Sequence, residues 1–210
     1  MYNDIIRNIQ IKQCYNILIR KGYMNSFYSN EELIELGFKS IGDNVLISRK
    51  SSIYNADKIS IGNNVRIDDF SILSGEITIG NHVHIAAYAA LFAGDKGIEL
   101  KDFVGVSSRS TIYALSDDYL GNALTNPTIP NILRNVYGGK VILGRHALIG
   151  ASTVILPNIT IGDGVAVGAC SLINKDCDEW SIYIGMPAKK IKERSKKLLE
   201  FEEKLYKGVY

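Results

Sequence analysis

Cysteine, histidine and net charge are all scarce in this sequence, and each scarcity narrows what the chain can do. Among 210 residues there are three cysteines, an odd count with no metal-ligand spacing. Cys170 and Cys177 fall within or at the end of a repeating pattern, which suits reduced, packed thiols in a cytoplasmic protein better than a redox or nucleophilic role. Only His82, His84 and His146 supply imidazoles. The formal net charge is +2, too small to indicate nucleic acid or an anionic membrane surface as a partner. No apolar run approaches the roughly 20 residues that span a bilayer. Arg7, Gln10, Lys12, Gln13 and Arg20 interrupt the N-terminal stretch, so neither a signal peptide nor a membrane anchor is expected.

What the chain has in quantity is a period of six. Aliphatic residues stand at Leu143, Ile149, Ile155, Ile161, Val167 and Ile173, and glycine follows four of them. Helices repeat every 3.6 residues and strands every 2, so neither alone keeps glycine and aliphatic residue in such fixed phase. A six-residue repeat makes one short strand and a corner, and three repeats close one coil of a parallel β-helix. The same spacing runs from Ile61 through Ile67, Leu73, Ile79 and Ile85 to Leu91, through Ile41, Ile47 and Ile53, and through Leu100, Val106 and Ile112. Eighteen anchors give six coils, with short insertions before Ile61 and Leu100 and one long excursion between Ile112 and Leu143. Four places after most anchors stands a small or β-branched residue (Val45, Val65, Ser71, Val83, Ala89, Val104, Ser110, Ala147, Thr153, Val165, Ser171), as a narrow prism interior demands.

The expected organisation is a helical cap over 1–40, the β-helix over 41–178 and a C-terminal strand and helix over 179–210. Residues 1–22 read as an amphipathic helix, and Ser29 with Glu32 forms a capping box for a second helix ending near Gly37. An open prism end exposes an apolar interior and unpaired backbone, which such a cap covers. Ala188 to about Lys207 reads as a charged helix. The aperiodic stretch at about 115–138, with Asp117, Asp118, Pro127 and Pro130, interrupts a regular architecture that does not need it, and it is expected to line a substrate site.

The hexapeptide run, the central loop and the ending SLINKDCDEWSIYIGMPAKKIKER together resemble the left-handed β-helix acyltransferases, over about 41–195. Within that family the likeness is to bacterial enzymes that acetylate sugars or nucleotide-linked amino sugars for O-antigen and other surface polysaccharides. The resemblance implies an acetyl-CoA-dependent N-acetyltransferase, cytoplasmic and homotrimeric, with each active site between two subunits and no metal. Sugar O-acetylation is the near alternative, and a non-catalytic scaffold the remote one. A zinc-dependent carbonic anhydrase type needs three converging histidines, which His82, His84 and His146 do not suggest by their spacing.

Acyl transfer to an amine or hydroxyl needs a base for the acceptor's proton and a cleft that aligns two substrates. In IGNHVHI, His84 lies beside inward Val83 and Ile85, points outward and is the first candidate for the base. His82 is nearer the corner and His146 is expected to be structural. In many relatives a catalytic histidine opens the central loop, and here that position is Asp117. A carboxylate there can orient a histidine, bind an amine or serve as base. Asp118, His82 and Tyr113 are candidate acceptor contacts. The resemblance further places coenzyme A against Ala151, Ala169, Asn174 and Lys175, with Lys189 and Lys192 supplying charge for its phosphates. With both repeat cysteines away from His84 in coil order, direct transfer without a covalent enzyme intermediate is expected.

Overall fold

The computed structural model describes residues 26–209, so the helix expected over 1–22 lies outside the described residues. These residues form a left-handed parallel β-helix whose three faces are the ladders that the period of six lays down. On the first face Ile41, Ile61, Ile79, Leu100, Leu143 and Ile161 stand in register. The second face stacks Ile47, Ile67, Ile85, Val106, Ile149 and Val167. The third stacks Ile53, Leu73, Leu91, Ile112, Ile155 and Ile173. All of these except Ile41 and Ile53 of the first coil are buried, and so is every small residue four places on. Full burial of each aliphatic contributes about 1.5–3 kcal/mol before entropy is counted, and the stacking of identical rungs makes that burial continuous.

Two corrections follow from the register. The ladders run one step beyond the expected six coils, because Cys177 bridges to Ile161 and Tyr183 pairs with Val167, giving about seven turns. The charged helix expected over 188–207 is half strand. Ala188–Glu193 folds back antiparallel on Ser181–Gly185, and only Leu198–Lys207 is helical. The strand wins over helix propensity because it pairs the outer edge of the last coil, and its lysines discourage further edge pairing. Arg194 then ties the chain down by donating to the carbonyls of His146, Gly164 and Val165 at 2.9, 3.0 and 3.3 Å.

Packing also divides the cysteines. Cys177 is buried, and burial, with Asp176 and Asp178 nearby, pushes its thiol up to about 12, so it is inert as a nucleophile. Cys170 is exposed at a corner rather than packed.

At the other end, α1 (Asn30–Glu35) carries the expected capping box: Ser29 Oγ accepts from the Glu32 N–H at 3.3 Å, and Glu32 Oε2 accepts from the Ser29 N–H at 2.7 Å. Leu33 is buried over the first coil. The Arg49 guanidinium, followed by the Ser29 N–H, holds the Glu32 carboxyl down at about 2. A carboxyl depressed on folding contributes stability that is present above its unfolded value and is lost as pH falls through the folded one. The Glu32 carboxyl carbon is therefore expected to titrate near pH 2 by NMR, and its contribution to the cap to fall away progressively from the ordinary glutamate range down to that pH. A midpoint near the ordinary glutamate value of about 4.3 would show that the pair is not held in solution.

Candidate active site

The long excursion leaves the prism after the third-face strand Thr111–Tyr113 and returns to the first-face strand Val141–Leu143. Its base is closed by an antiparallel pair, Leu115–Ser116 against Tyr137–Gly138. Gly138 is required there, since a Cβ would collide with the Ala114 carbonyl oxygen. This closure places Asp117 immediately beyond the last paired residue, in the lining of a pocket of about 630 Å³. Leu115, Ser116, Asp117, Tyr119 and Tyr137 line it from the loop side, and Tyr113, Val154, Leu156 and Pro157 from the prism.

Inside the loop the two adjacent aspartates have different work. Asp118 is 7% exposed, and its two oxygens accept the Leu120 and Asn122 N–H groups at 2.7 and 2.9 Å, an internal staple. Asp117 is one-third exposed; Oδ1 accepts from Arg134 Nη2 at 3.1 Å and Oδ2 from the Asn126 N–H at 3.2 Å. Each of its oxygens therefore retains a lone pair for a ligand. Tyr113 stacks on Phe92 with centroids 5.4 Å apart and shares the pocket with Asp117.

His84 points outward as its alternation requires, half-exposed on the second face. Its Nε2 is 2.8 Å from Asp68 Oδ2, while Arg66 Nε donates to Asp68 Oδ1 at 2.7 Å. Burial works to raise the Asp68 carboxyl, but the hydrogen bonds from His84 and Arg66 outweigh it and hold the group below its ordinary value. His84 lines a second pocket, of about 460 Å³, between the prism and α2 (Leu198–Lys207). Among the described residues, His84 and Asp117 line two different cavities.

His82 and His146 occupy corner positions with left-handed φ of 57° and 61°. The Phe103 ring lies stacked between them, 4.8 Å from each centroid. His146 Nε2 meets Glu202 Oε2 of α2 at 2.7 Å. Burial, then the charges of Arg145 and Arg194, lowers its pKa, so the neutral ring serves as a structural dock for the helix. With Phe103 interposed, the two rings share no ion, and among the described residues no three His, Cys, Asp or Glu side chains form a metal-holding group.

The expected coenzyme contacts lie on the late coils. Ala151 and Ala169 are stacked at one corner, where the Cys170 N–H donates to the Ala151 carbonyl at 2.8 Å. Ala151 is half-buried and Ala169 exposed. Asn174 and Lys175 are exposed one corner further on. Lys189 and Lys192 project from the terminal strand, and among the described residues neither has an ion-pair partner, whereas Lys190 between them pairs with Glu193 at 2.7 Å.

Sequence reasoning missed Arg134 and Asp68. Asp68 had a readable signal: Arg66 and His84 are rung partners on neighbouring coils, and Asp68 is two residues further along. Arg134 had none, because it sits in an aperiodic loop where no register predicts neighbours.

Residues 58–93 and 140–175 match the bacterial transferase hexapeptide family (six repeats). Over 174 residues, the chain is 45% identical to an Escherichia coli dTDP-4-amino-4,6-dideoxy-D-glucose acyltransferase, covering 81% of this chain and 90% of that protein. Among solved structures it resembles AntD, an N-acyltransferase from Bacillus cereus bound to dTDP-4-amino-4,6-dideoxyglucose and coenzyme A. The TM-score is 0.87 and the identity 57%, over 89% of this chain and all of that one. AntD bound to dTDP and 3-hydroxybutyryl-CoA matches with a TM-score of 0.86 and 58% identity, over 88% of this chain and 98% of that one.

Proposed function

Because the chain belongs to the hexapeptide-repeat transferases, we propose that it is an acyl-CoA-dependent N-acyltransferase whose acceptor is a dTDP-linked 4-amino-4,6-dideoxy sugar. The observation that carries this reading is the Asp117 carboxylate, fixed in the lining of the loop pocket with acceptor capacity to spare. A primary amine offers it N–H groups to bind and a proton to give up. In the transfer, the amine nitrogen attacks the thioester carbonyl carbon, the N–C bond forms and the C–S bond breaks. One amine proton passes to the base and from it to the departing thiolate, which leaves as the free thiol of coenzyme A.

The Bacillus cereus structures include variants at an aspartate and at a serine ten positions before it. In this chain serine precedes aspartate by that interval at Ser107 and Asp117 and at Ser108 and Asp118, and nowhere else. Asp118 is committed to its own loop, so the pair Ser107 and Asp117 fits a reactive role better. Ser107 lies at the corner one coil before Ala151, with its N–H donating to the Ile149 carbonyl. A pantetheine arm running along Ala169 and Ala151 would bring its thioester towards that serine, while Lys175, Lys189 and Lys192 at the far end suit its phosphates.

Catalysis in the cytoplasm by a homotrimer is part of the same reading. The homotrimer is supported by the placement of His84, among the described residues, on a face apart from the loop pocket, a separation that a neighbouring prism would close. His84, oriented by Asp68, is the second candidate base if an adjacent subunit carries it to the acceptor.

The test is thiol release from acetyl-CoA and from 3-hydroxybutyryl-CoA, followed with a chromogenic thiol reagent against dTDP-4-amino-4,6-dideoxyglucose and its 4-hydroxyl analogue. Saturable release with the amine and none with the hydroxyl compound is the expected result, and the faster donor defines the acyl group. Release with the hydroxyl compound alone would make this an O-acyltransferase.

A further inference from the structure

Arg134 stands behind Asp117 rather than beside it in the pocket. Asp117 lines the cavity and Arg134 does not, and the exposures of their side chains are 33% and 15%. The loop fixes the arginine from several directions: Leu124 bridges to it, the Leu124 N–H donates to the Leu133 carbonyl at 3.0 Å, and Arg134 Nη1 reaches Asn131 Oδ1 at 3.4 Å. Its Nε is buried without a partner. Such an orphaned donor is costly, so the surrounding loop holds the guanidinium where the Asp117 pair needs it and not where its own hydrogen bonding would be complete.

The charges around Asp117 are few. Asp118 is next in the chain, but its carboxylate is turned to the Leu120 and Asn122 N–H groups. The remaining titratable side chains of the pocket are the phenols of Tyr113, Tyr119 and Tyr137, and the prism wall offers Val154, Leu156 and Pro157. Arg134 is thus the one cation paired with Asp117 among the described residues. An unpaired carboxylate would stabilise an acceptor nitrogen as ammonium, which has no lone pair to attack a thioester. A carboxylate already neutralised from behind still accepts an N–H but gives the positive charge little reward.

We propose that Arg134 is a positioning residue for the acceptor: it balances the Asp117 charge from the protein side, so that the pocket takes the sugar nitrogen as free amine with its lone pair available. This rests on the reading that Asp117 meets the acceptor amine. The ion pair therefore decides the protonation state of the nucleophile, beyond any part it has in folding the loop.

Two measurements test it. Calorimetric titration of the wild-type protein with the amino sugar at pH 6.5, in two buffers of different ionisation enthalpy, counts protons. Release of about one proton per acceptor bound is expected, because a free amine of this kind is largely protonated at that pH; binding with no release overturns the proposal and needs no variant. In Arg134→Gln, the midpoint of the kcat–pH profile is expected to rise by about one unit. On the acid limb, below the wild-type midpoint, this means a roughly tenfold loss of kcat with KM unchanged or lower, and recovery towards wild type at high pH. Arg134→Lys, which keeps the charge, should retain the wild-type midpoint. An equal loss at every pH would assign the arginine to loop structure alone. If the wild-type protein neither binds nor acylates the amino sugar, it is the functional reading that fails and not the role of Arg134 within it.

Discussion

Replacing Asp117 by asparagine is expected to lower kcat for the amino sugar by about 10²–10⁴-fold, the usual contribution of a positioned general base. The change is nearly isosteric, and the amide oxygen can still accept the Asn126 N–H that now reaches Oδ2. What it removes is the capacity to take a proton and the charge facing Arg134. Coenzyme A affinity should not move, because the contacts proposed for it, Ala151, Ala169 and the terminal lysines, lie outside the loop. His84→Ala, measured in parallel, is expected to cost less than about tenfold, a loss smaller than a positioned base produces. His84 is half-exposed, already paired with Asp68, and lines the pocket beneath α2 rather than the one at Asp117. If His84→Ala shows the greater loss, the base is His84 delivered by a neighbouring subunit, and Asp117 becomes an amine contact. The comparison therefore also reports on assembly: only an inter-subunit site brings both groups to one nitrogen.

The prism was legible in the sequence because its physics is repetitive. Each anchor repeats the same inward aliphatic, so one misread rung would have been corrected by its neighbours, and the small residues after the anchors independently marked the same interior. Ile41 and Ile53 depart from full burial because, among the described residues, each has a ladder partner on one side only, whereas Ile47 of the same coil is met on its outer side by Tyr28. The terminal segment was misread for the opposite reason. Ala188–Glu193 has a helix-forming composition, and only the unpaired edge of the last coil, a tertiary fact, turns it into strand. The site was legible in part. His84 could be placed outward by alternation, and Tyr113 and Asp117 by their position at the loop's start. Which of two adjacent aspartates faces the pocket could not be read, since it depends on Asp118 capturing the Leu120 and Asn122 N–H groups. Arg134 was invisible, because the contact joins residues 17 apart across a loop with no period.

That same lack of period leads to the second large effect. Replacing residues 117–136 by Asn-Gly is expected to abolish acyl transfer, by at least about 10³-fold from lost base and lost alignment together, while leaving the prism folded. Ser116 and Tyr137 are already opposed in an antiparallel pair, and Asn-Gly supplies the two-residue type I′ turn that joins such strands. No rung of the ladder is cut: Ile112 stays between Leu91 and Ile155, and Leu143 between Leu100 and Ile161. Nor does the loop bring much apolar burial to a single chain, since Tyr119, Leu120 and Ile132 are 88%, 86% and 90% exposed. The thermal midpoint should accordingly shift by no more than about 4 °C, the equivalent of roughly 1 kcal/mol in a domain of this size, and coenzyme A should still bind. Transfer that survives the deletion would relocate the acceptor site to the pocket beneath α2. Collapse of the fold would mean that those three exposed side chains are buried by a second copy of the chain and that the loop belongs to the assembly as much as to the chemistry. Separation of stability from activity would establish that a loop the prism does not need is kept for the acceptor alone.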